Sequence, residues 1–373
     1  MTANEPILDT PLAALHRKNG AQMGVWFGCE LPNNWGSPQA EEQFARNTVA
    51  LIDKNYRAYF SFTGPDRVRY LNAILTNNIK DLGVNHGNVS LLLSPQGRIL
   101  AEIETYAFAD NLLCVSYAMI RDRLIETIEK FIIMDDVTLL DETQLYGTLA
   151  LEGPKAATVA SELTGIELAK LGELVSTDST IAGFPCRVVK QSRGGIPGAE
   201  FVIERSQLKS LWTLLEAAVR KHDGGPLGYS ALSAQRLSQG IPWFSYDFGE
   251  KQIPHEAGLQ DSHISYTKGC YTGQEIVERV RSRGQVNRQR VHLIFTGAGV
   301  PVSGEPLTVN GTEVGYVTRA AMLYSRGSAI GMGYVRKENN APGTELHWSG
   351  GTARVSKFPE DLSAPRSKKQ ISS

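Results

Sequence analysis

The stretch YRAYFSFTGPDRVRYLNAILTNN, residues 56–78, predicts a strand, a turn and a helix in succession. The β-favouring run YRAYFSFTG leads into Gly64-Pro65, and proline suits the first position of a helix. Apolar residues then repeat at helical spacing; they are Val68, Leu71, Ile74 and Leu75. The pattern returns 89 residues later in YGTLALEGPKAATVASELTG, where Gly153-Pro154 takes the place of Gly64-Pro65. The chain is therefore predicted to contain two similar halves.

Each predicted half closes with an amphipathic helix, and the segments between the helices resemble antiparallel strands. The closing helices are expected over residues 119–132 and over residues 207–220, the second behind Ser206 as a candidate N-cap. The runs VSLLLS, RILAEIETYAF and NLLCVSYA are typical of strands. Together these patterns predict an α+β fold with antiparallel sheets.

From Val291 onward, the sequence changes to short β-rich runs that alternate with glycine turns. Asn310-Gly311 is a strong signal for a two-residue hairpin, and the spacing of the runs predicts a small β-barrel. The predicted divisions are a duplicated domain over residues 1–285, a barrel domain over residues 286–362 and a disordered tail over residues 363–373.

The composition of the 373-residue chain is that of an ordinary globular protein, with 42% hydrophobic residues, 21% charged residues and a formal net charge of -1. This balance does not point to a polyanionic partner such as nucleic acid. The four cysteines lie far apart without a CxxC pair, which argues against a disulfide framework and favours a reducing, cytoplasmic location. Apolar runs fall short of the roughly 20 residues that a membrane helix needs, so we expect no membrane attachment.

The segment KGCYTGQE, residues 268–275, places a cysteine just before a predicted helix. Thr272 and Glu275 fit a capping box at the start of that helix. Cys270 would then lie near the positive end of the helix dipole and close to Lys268, and both influences lower the pKa of a thiol. The cysteine is either a reactive thiolate or a small packed hydrophobic residue. The glycines on either side leave the backbone open and favour the first interpretation.

A run of arginines follows the start of this helix: Arg279, Arg281, Arg283, Arg288 and Arg290. The run is either a solvated helix face or a site for a polyanion or a ligand with several carboxylates. The sequence lacks the signatures of nucleotide-binding loops, serine hydrolases and zinc proteases, and its histidines show no metal-ligand spacing. We therefore predict no metal site.

KGCYTGQE resembles the YgfZ family, folate-binding proteins related to the aminomethyltransferase of the glycine cleavage system, the T-protein. The residues that carry the match are Lys268, Gly269, Cys270, Tyr271, Gly273, Gln274 and Glu275. A wider resemblance to the T-protein covers almost the whole chain, through residues 10–32, 64–79, 253–259 and 291–358. It implies a duplicated α+β folate-binding unit and a terminal β-barrel arranged around a central channel.

Within that resemblance, several residues depart from the T-protein pattern. Where the T-protein has G-G-I-x-D-D, this chain has QGRILAEI, so Ala101 and Glu102 replace the aspartate pair that includes the catalytic acid. Tyr56 takes the place of a histidine, and Glu200 is a shifted counterpart of a pterin-binding glutamate. Arg236 in QRLSQG matches a folate-contacting arginine. The resemblance thus implies a site for tetrahydrofolate or a derivative, with Arg236 at the glutamate tail and Tyr56 and Glu200 near the pterin.

Relatives with the KGCYTGQE motif are associated with the assembly or repair of iron–sulfur clusters and, through such enzymes, with tRNA modification. The resemblance therefore favours a tetrahydrofolate-binding accessory protein, with Cys270 as its reactive group and iron–sulfur client or assembly proteins as partners. The alternative is an active folate-dependent aminomethyltransferase with Glu102 in place of the missing acid. A third hypothesis, direct RNA binding through the arginine run, ranks last because no aromatic residues are interleaved there.

Overall fold

The structure, a computed structural model, describes residues 6–284 and 286–357. Among these residues, none of the helices is both long enough and apolar enough to cross a membrane. The described helices are α1 (Ala13–Lys18), α2 (Pro38–Asn47), α3 (Arg67–Ile74), α4 (Arg121–Glu129), α5 (Ala156–Thr164), α6 (Leu208–Lys221), α7 (Tyr229–Gln239), α8 (Pro254–Ala257) and α9 (Gln274–Arg283).

The strands fall into two groups along the chain. Those before residue 227 are β1 (Gln22–Trp26), β2 (Cys29–Asn34), β3 (Ala50–Asp53), β4 (Arg57–Thr63), β5 (Gly87–Leu93), β6 (Ile99–Ala107), β7 (Leu112–Tyr117), β8 (Thr138–Asp141), β9 (Tyr146–Glu152), β10 (Ser176–Ile181), β11 (Phe184–Lys190), β12 (Gly198–Glu204) and β13 (Gly225–Pro226). The later strands are β14 (Arg288–Gly297), β15 (Pro306–Val309), β16 (Thr312–Leu323), β17 (Ser328–Arg336), β18 (Glu345–Trp348) and β19 (Gly351–Ser356).

The first group of strands builds two larger sheets beside the β1-β2 hairpin. One sheet has the order β5-β6-β7-β4-β8, and the other has the order β10-β11-β12-β9-β3-β13. Neighbouring strands pair antiparallel, with β13 and β3 as a parallel exception. The predicted α+β class with antiparallel sheets is confirmed. The strand β3 comes from the early part of the chain and yet lies in the second sheet, between β9 and β13.

The repeated strand-turn-helix unit appears as β4-α3 and again as β9-α5. Gly64 has φ +93° and Gly153 has φ +135°, a region that favours glycine. A Cβ on Gly64 would lie 2.2 Å from the carbonyl oxygen of Asp136, and one on Gly153 would lie 2.6 Å from that of Thr48. Each helix begins two residues after its proline, so the predicted placement of the prolines at the first helical position is wrong.

The helix α6 closes the second half and packs its apolar face on the second sheet. The predicted N-cap at Ser206 is wrong, because a short 3-10 turn over Arg205–Gln207 precedes the helix. The hydroxyl of Ser206 instead donates to Oε2 of Glu204 at 3.4 Å. The buried residues of this face are Leu208, Leu211, Trp212, Leu215 and Val219.

The second group of strands closes into a barrel in the order β14-β17-β16-β15-β18-β19, which confirms the predicted terminal barrel. Asn310 (φ +50°) and Gly311 (φ +76°) form the two-residue turn between β15 and β16. The barrel packs on α7, and beside it Thr318 Oγ1 donates to Oδ1 of Asp247 at 2.7 Å. Residues 358–373, which include the expected tail, lie outside the described residues.

Candidate functional site

Cys270 differs from the other three cysteines in its exposure. Cys270 is exposed, whereas Cys29, Cys114 and Cys186 are buried. Burial raises the pKa of the three buried thiols, to about 11 for Cys186 and to about 12 for Cys29 and Cys114. Access to solvent therefore singles out Cys270, and its thiolate character stays a prediction.

The helix after Cys270 is α9, and the capping box predicted at its start is wrong. Its N-cap is Gly273, with φ +81°, and no side chain caps the helix. Glu275 pairs instead with Arg279, one turn along the helix, at 2.5 Å. A Cβ on Gly273 would lie 2.6 Å from the carbonyl oxygen of Ser94. A left-handed glycine in close contact with a neighbouring turn therefore determines where the helix begins.

Lys268 joins the KGCYTGQE turn to the end of α3. Its Nζ donates to the carbonyl oxygens of Asn72 and Leu75, both at 2.5 Å, and of Asn77 at 3.2 Å. Burial lowers the pKa of Lys268 to about 8, while carbonyl acceptors at a helix C-terminus stabilise the ammonium. Nζ also lies 5.1 Å from the ring centroid of the buried Tyr271. These contacts hold the turn in place.

A group of largely buried charged side chains links residues of the two large sheets. We call it the buried charge network; its members are Lys54, Arg57, Glu102, Glu104, Glu152, Arg193 and Glu200. Glu200 accepts hydrogen bonds from Lys54 Nζ at 2.9 Å and from Arg57 at 2.6 Å and 3.0 Å. Burial raises the pKa of Glu200, but the cations of Arg57 and Lys54 outweigh it and lower the pKa to about 2. Glu200 is therefore ionised and engaged by protein partners.

Glu102, on β6, is the acid of the network whose carboxylate contacts a tyrosine, an arginine and a histidine. Its Oε2 accepts hydrogen bonds from the Tyr117 hydroxyl at 2.5 Å and from Arg193 Nη1 at 3.1 Å. Its Oε1 lies 3.2 Å from Nε2 of His263. Burial raises the pKa of Glu102, but the charge of Arg193 and the hydrogen bonds from His263 and Tyr117 lower it to about 2. An ionised carboxylate of this kind can accept a proton or stabilise a cation. Its neighbour Ala101, fully buried, supplies no second acid.

Arg193 lies in the glycine-rich loop between β11 and β12. Its Nη2 donates to Glu104 at 2.7 Å, and the backbone N–H groups of Arg193 and Gly194 each donate to Glu152 at 2.8 Å. Arg193 and His263 were not predicted from the sequence. The position of Arg193 before two glycines, in SRGG, is a signal that could have pointed to it, whereas the segment around His263 carries none.

Aromatic rings extend from Glu102 towards the barrel. We call Tyr117, Tyr56, Phe27 and Trp243 the aromatic column. Tyr117 stacks on Tyr56 at 5.7 Å between ring centroids, and Tyr56 stacks on Phe27 at 4.3 Å. Phe27 contacts Trp243 at 5.2 Å. Tyr56 is therefore a buried member of a ring stack, and its role towards a ligand stays a prediction.

Arginines surround the far end of the aromatic column. We call Arg236, Arg290 and Arg319 the arginine cluster. Arg236 is fully buried, lies 4.6 Å from the ring centroid of Trp243 and pairs with Asp247. Its Nε and Nη2 have no hydrogen-bond partner among the described residues. Burial lowers the pKa of Arg236, and the positive charges of Arg319 and Arg290 lower it further. The cluster therefore carries more positive charge than Asp247 neutralises.

The arginine run that follows residue 275 does not form one surface. Arg279 pairs with Glu275, and Arg281 pairs with Glu278. Arg288 pairs with Glu256, and Arg290 donates to a backbone carbonyl and belongs to the arginine cluster. The side chain of Arg283 is not among those described. The contacts divide the run between a helix surface and the junction with the barrel.

The structure thus brings Glu102, Tyr56 and Arg236 into one line of contacts, with Glu200 beside it in the network. The KGCYTGQE turn is joined to this line through α3, since Thr76 Oγ1 donates to the carbonyl oxygen of His263 at 2.6 Å and Lys268 binds the preceding turn. Within residues 6–284 and 286–357, no group of three or more His, Cys, Asp or Glu residues is placed to hold a metal ion. The arrangement offers an acid, flat ring surfaces and cations in sequence.

Comparisons with known proteins find similarity to aminomethyltransferases along most of the chain. Residues 12–263 match the GCVT N-terminal domain, and residues 288–357 match the glycine cleavage T-protein C-terminal barrel domain. An aminomethyltransferase of Streptomyces avermitilis is 28% identical over 351 residues, which is 92% of this chain and 93% of the relative. An aminomethyltransferase of Moorella thermoacetica is 28% identical over 356 residues, or 94% of this chain and 96% of the relative.

A solved structure has the same fold. The crystal structure of glycine cleavage system aminomethyltransferase T from Bartonella henselae superposes with a TM-score of 0.86, covering 95% of this chain and 98% of that chain at 22% identity. The full-length similarity to aminomethyltransferases contradicts the iron–sulfur accessory function expected from the KGCYTGQE motif, and that interpretation is wrong. The comparisons support neither the YgfZ-type assignment nor a link to tRNA modification. Matched over both of its domains, the chain belongs to the glycine cleavage T-protein family.

Proposed function

We propose that this protein is a folate-dependent aminomethyltransferase, which moves a one-carbon unit from an aminomethyl group on a lipoyl carrier protein to tetrahydrofolate or a derivative. The observation that carries the proposal is the line of contacts from Glu102, through the aromatic column, to Arg236. Folate has a matching order of groups: N–H donors on the pterin, a flat benzoyl ring and terminal carboxylates. A planar ligand of this kind needs an aromatic slot with a cation at one end.

The arginine cluster fits the carboxylate end of such a ligand. Among the described residues, two donor nitrogens of Arg236 have no hydrogen-bond partner, and a buried guanidinium in that state is costly unless a ligand supplies acceptors. Burial, together with the positive charges of Arg290 and Arg236, also lowers the pKa of His292 to about 2, and the carboxylate of Asp247 neutralises only one of the three arginines. A glutamate tail would therefore bind here, and tetrahydrofolate, when bound, supplies the nitrogen that takes the one-carbon unit.

Glu102 supplies the acid–base chemistry at the other end of the column. The hydroxyl of Tyr117 and the guanidinium of Arg193 fix its carboxylate and keep it ionised. In this state Glu102 attracts a cationic aminomethyl group and takes up or returns a proton at Oε1 or Oε2. Glutamate is one methylene longer than the aspartate of the T-protein pattern, so Glu102 replaces that acid without an exact match in position.

Turnover can be tested with purified protein, tetrahydrofolate and a lipoyl carrier protein that bears the aminomethyl group. Glu102→Gln is expected to lower kcat by about 100-fold or more and to weaken folate binding by a smaller factor of about tenfold or less, because the amide keeps an acceptor for the pterin N–H groups. Glu126→Gln, on an exposed face of α4, is the matched control and should behave like the wild type. The cytoplasmic location stays a prediction from the cysteine content.

Folate binding is tested separately by calorimetry. Arg236→Ala is expected to raise the Kd for tetrahydrofolate by about tenfold or more, because it removes a charge-assisted contact. Arg319→Ala leaves the Arg236–Asp247 ion pair intact and should also raise the Kd for tetrahydrofolate. A higher Kd in this variant would therefore reflect a lost ligand contact rather than a loss of folding. Arg123→Ala, at a half-exposed side chain, is the control. Wild-type protein that neither binds tetrahydrofolate nor turns over would contradict the proposed function.

A further inference from the structure

His263 lies between the buried carboxylate of Glu102 and the surface of the molecule. Its Nε2 is 3.2 Å from Glu102 Oε1, and its Nδ1 is 2.7 Å from the hydroxyl oxygen of Ser262. Side-chain exposure rises from 4% at Glu102 to 11% at His263, and Ser262 is exposed. A line of hydrogen bonds therefore leads from a buried acid to solvent.

The contacts of His263 define which atoms carry protons. Glu102 is held in its ionised form by Arg193 and Tyr117, so its Oε1 accepts and Nε2 of His263 donates. We assign Nδ1 as the acceptor, so that the hydroxyl of Ser262 donates to it across 2.7 Å; the same hydroxyl lies 3.5 Å from the carbonyl oxygen of Leu259. The backbone fixes the ring in this position, because the N–H of His263 donates to a carbonyl oxygen at 3.0 Å and its own carbonyl accepts a hydrogen bond.

We propose that His263 is a positioning residue that supplies protons from solvent to Glu102, an inference that rests on the proposed aminomethyltransferase function. A hydronium ion or a buffer acid in solvent protonates the Ser262 oxygen as the Ser262 hydroxyl proton passes to Nδ1 and the Nε2 proton moves to Glu102 Oε1. In the protein the hydroxyl bond of Ser262 and the Nε2–H bond break, new O–H bonds form at Ser262 and Glu102, and a new N–H bond forms at Nδ1; the added proton is the one that the solvent acid loses. Glu102 then gives its proton to the amine that leaves. Loss of the Nδ1 proton to solvent and protonation of Nε2 return the ring to its starting tautomer.

The substitution His263→Gln separates this role from a purely structural one. A glutamine amide can still donate a hydrogen bond to Glu102 and accept one from Ser262, but it cannot transfer a proton between its two ends. If His263 only orients Glu102, the variant should keep its activity. If His263 relays protons, the variant should lose activity and regain part of it when small buffers deliver protons instead.

We expect His263→Gln to lower kcat by about 100-fold, within the range of proton-transfer catalysis, with a folate Kd changed by less than about threefold. Imidazole and other small buffers should restore kcat by about tenfold, in proportion to buffer concentration. His222→Gln, at a histidine that pairs with Glu162 elsewhere, is the control and should match the wild type. Activity of His263→Gln within about threefold of wild type, or no buffer rescue, would overturn the inference while the proposed function stands. An inactive wild type would overturn both.

A second measurement needs no turnover. In ligand-free protein labelled with ¹⁵N-histidine, saturation of the water signal should pass to the Nε2 proton of His263, which the spectrum of His263→Gln identifies. Ser262→Ala should reduce this transfer by about threefold or more, because it removes the hydroxyl next to solvent. Equal transfer in Ser262→Ala and wild type would overturn the path through Ser262.

Discussion

Replacing Glu102 by glutamine removes one charge from the buried charge network and leaves the size of the side chain almost unchanged. The pKa of Glu102 falls from an ordinary 4.5 to about 2 in the folded protein. At about 1.4 kcal/mol per pKa unit, folding favours the ionised carboxylate over the protonated acid by about 3 kcal/mol. Because glutamine resembles the protonated acid, Glu102→Gln is expected to lower the free energy of unfolding by about 3 kcal/mol at pH 7.

The direction of the pKa change determines how this loss depends on pH. Because folding lowers the pKa of Glu102, the stabilisation by its ionised carboxylate is fully present above the pKa of the unfolded state. This stabilisation declines as the pH falls towards the folded-state pKa of about 2. The difference in the free energy of unfolding between wild type and variant should therefore shrink from about 3 kcal/mol at pH 7 to about 1 kcal/mol at pH 3.

Urea unfolding followed by tryptophan fluorescence at the two pH values measures both quantities. Glu126→Gln, at an exposed glutamate, is the control and should change the free energy of unfolding by less than about 0.5 kcal/mol. A loss below about 1 kcal/mol at pH 7 would refute the reasoning, as would an equal loss at pH 7 and pH 3.

Three further predictions concern the KGCYTGQE turn. Lys268→Met leaves three backbone carbonyls without their donor and should lower the free energy of unfolding by about 2 kcal/mol in urea; an unchanged midpoint would contradict the role of the ammonium. Gly273→Ala should cost about 3 kcal/mol, because it adds a clash with a carbonyl oxygen to the strain at φ +81°, whereas Gly284→Ala, also left-handed but in open space, should cost about 1 kcal/mol. Limiting alkylation of the native protein should label Cys270 first by mass spectrometry, and earlier labelling of a buried cysteine would show that the turn is less accessible than described.

Local sequence patterns were sufficient to predict a turn where the residues of one short segment determine its backbone conformation. The Gly-Pro turns at Gly64 and Gly153 and the hairpin at Asn310 were predictable because glycine and asparagine relieve backbone strain within a few residues. The helix starts were predicted less well. Ser206 fits the preference for N-caps, but a 3-10 turn and a left-handed glycine set the starts of α6 and α9. Such starts depend on neighbouring turns that a sequence window does not contain.

In the candidate site, too, some residues could be predicted from the sequence and others depend on contacts that form only in the folded chain. Glu102 and Arg236 were found because a family pattern marks their positions, whereas the side chains that contact the Glu102 carboxylate come mostly from distant parts of the sequence. Arg193 and His263 reach Glu102 from 91 and 161 residues away, and Asp247 becomes the partner of Arg236 only after the chain turns back. Single residues of this kind carry no periodicity, so their roles arise only when the chain folds.

The place of β3 has a consequence for how the chain is made. Its partners in the second sheet, β9 and β13, are synthesised later, and β13 follows β3 by about 175 residues. At about 5 to 20 residues per second, β3 waits roughly 10 to 35 s after leaving the ribosome before both of its edges can pair. During that time Leu51 and Ile52, fully buried in the finished protein, have no sheet to cover them. A nascent chain interrupted before residue 226 would therefore expose an unpaired, apolar strand edge. Chaperones that bind exposed apolar segments are expected to bind such a chain.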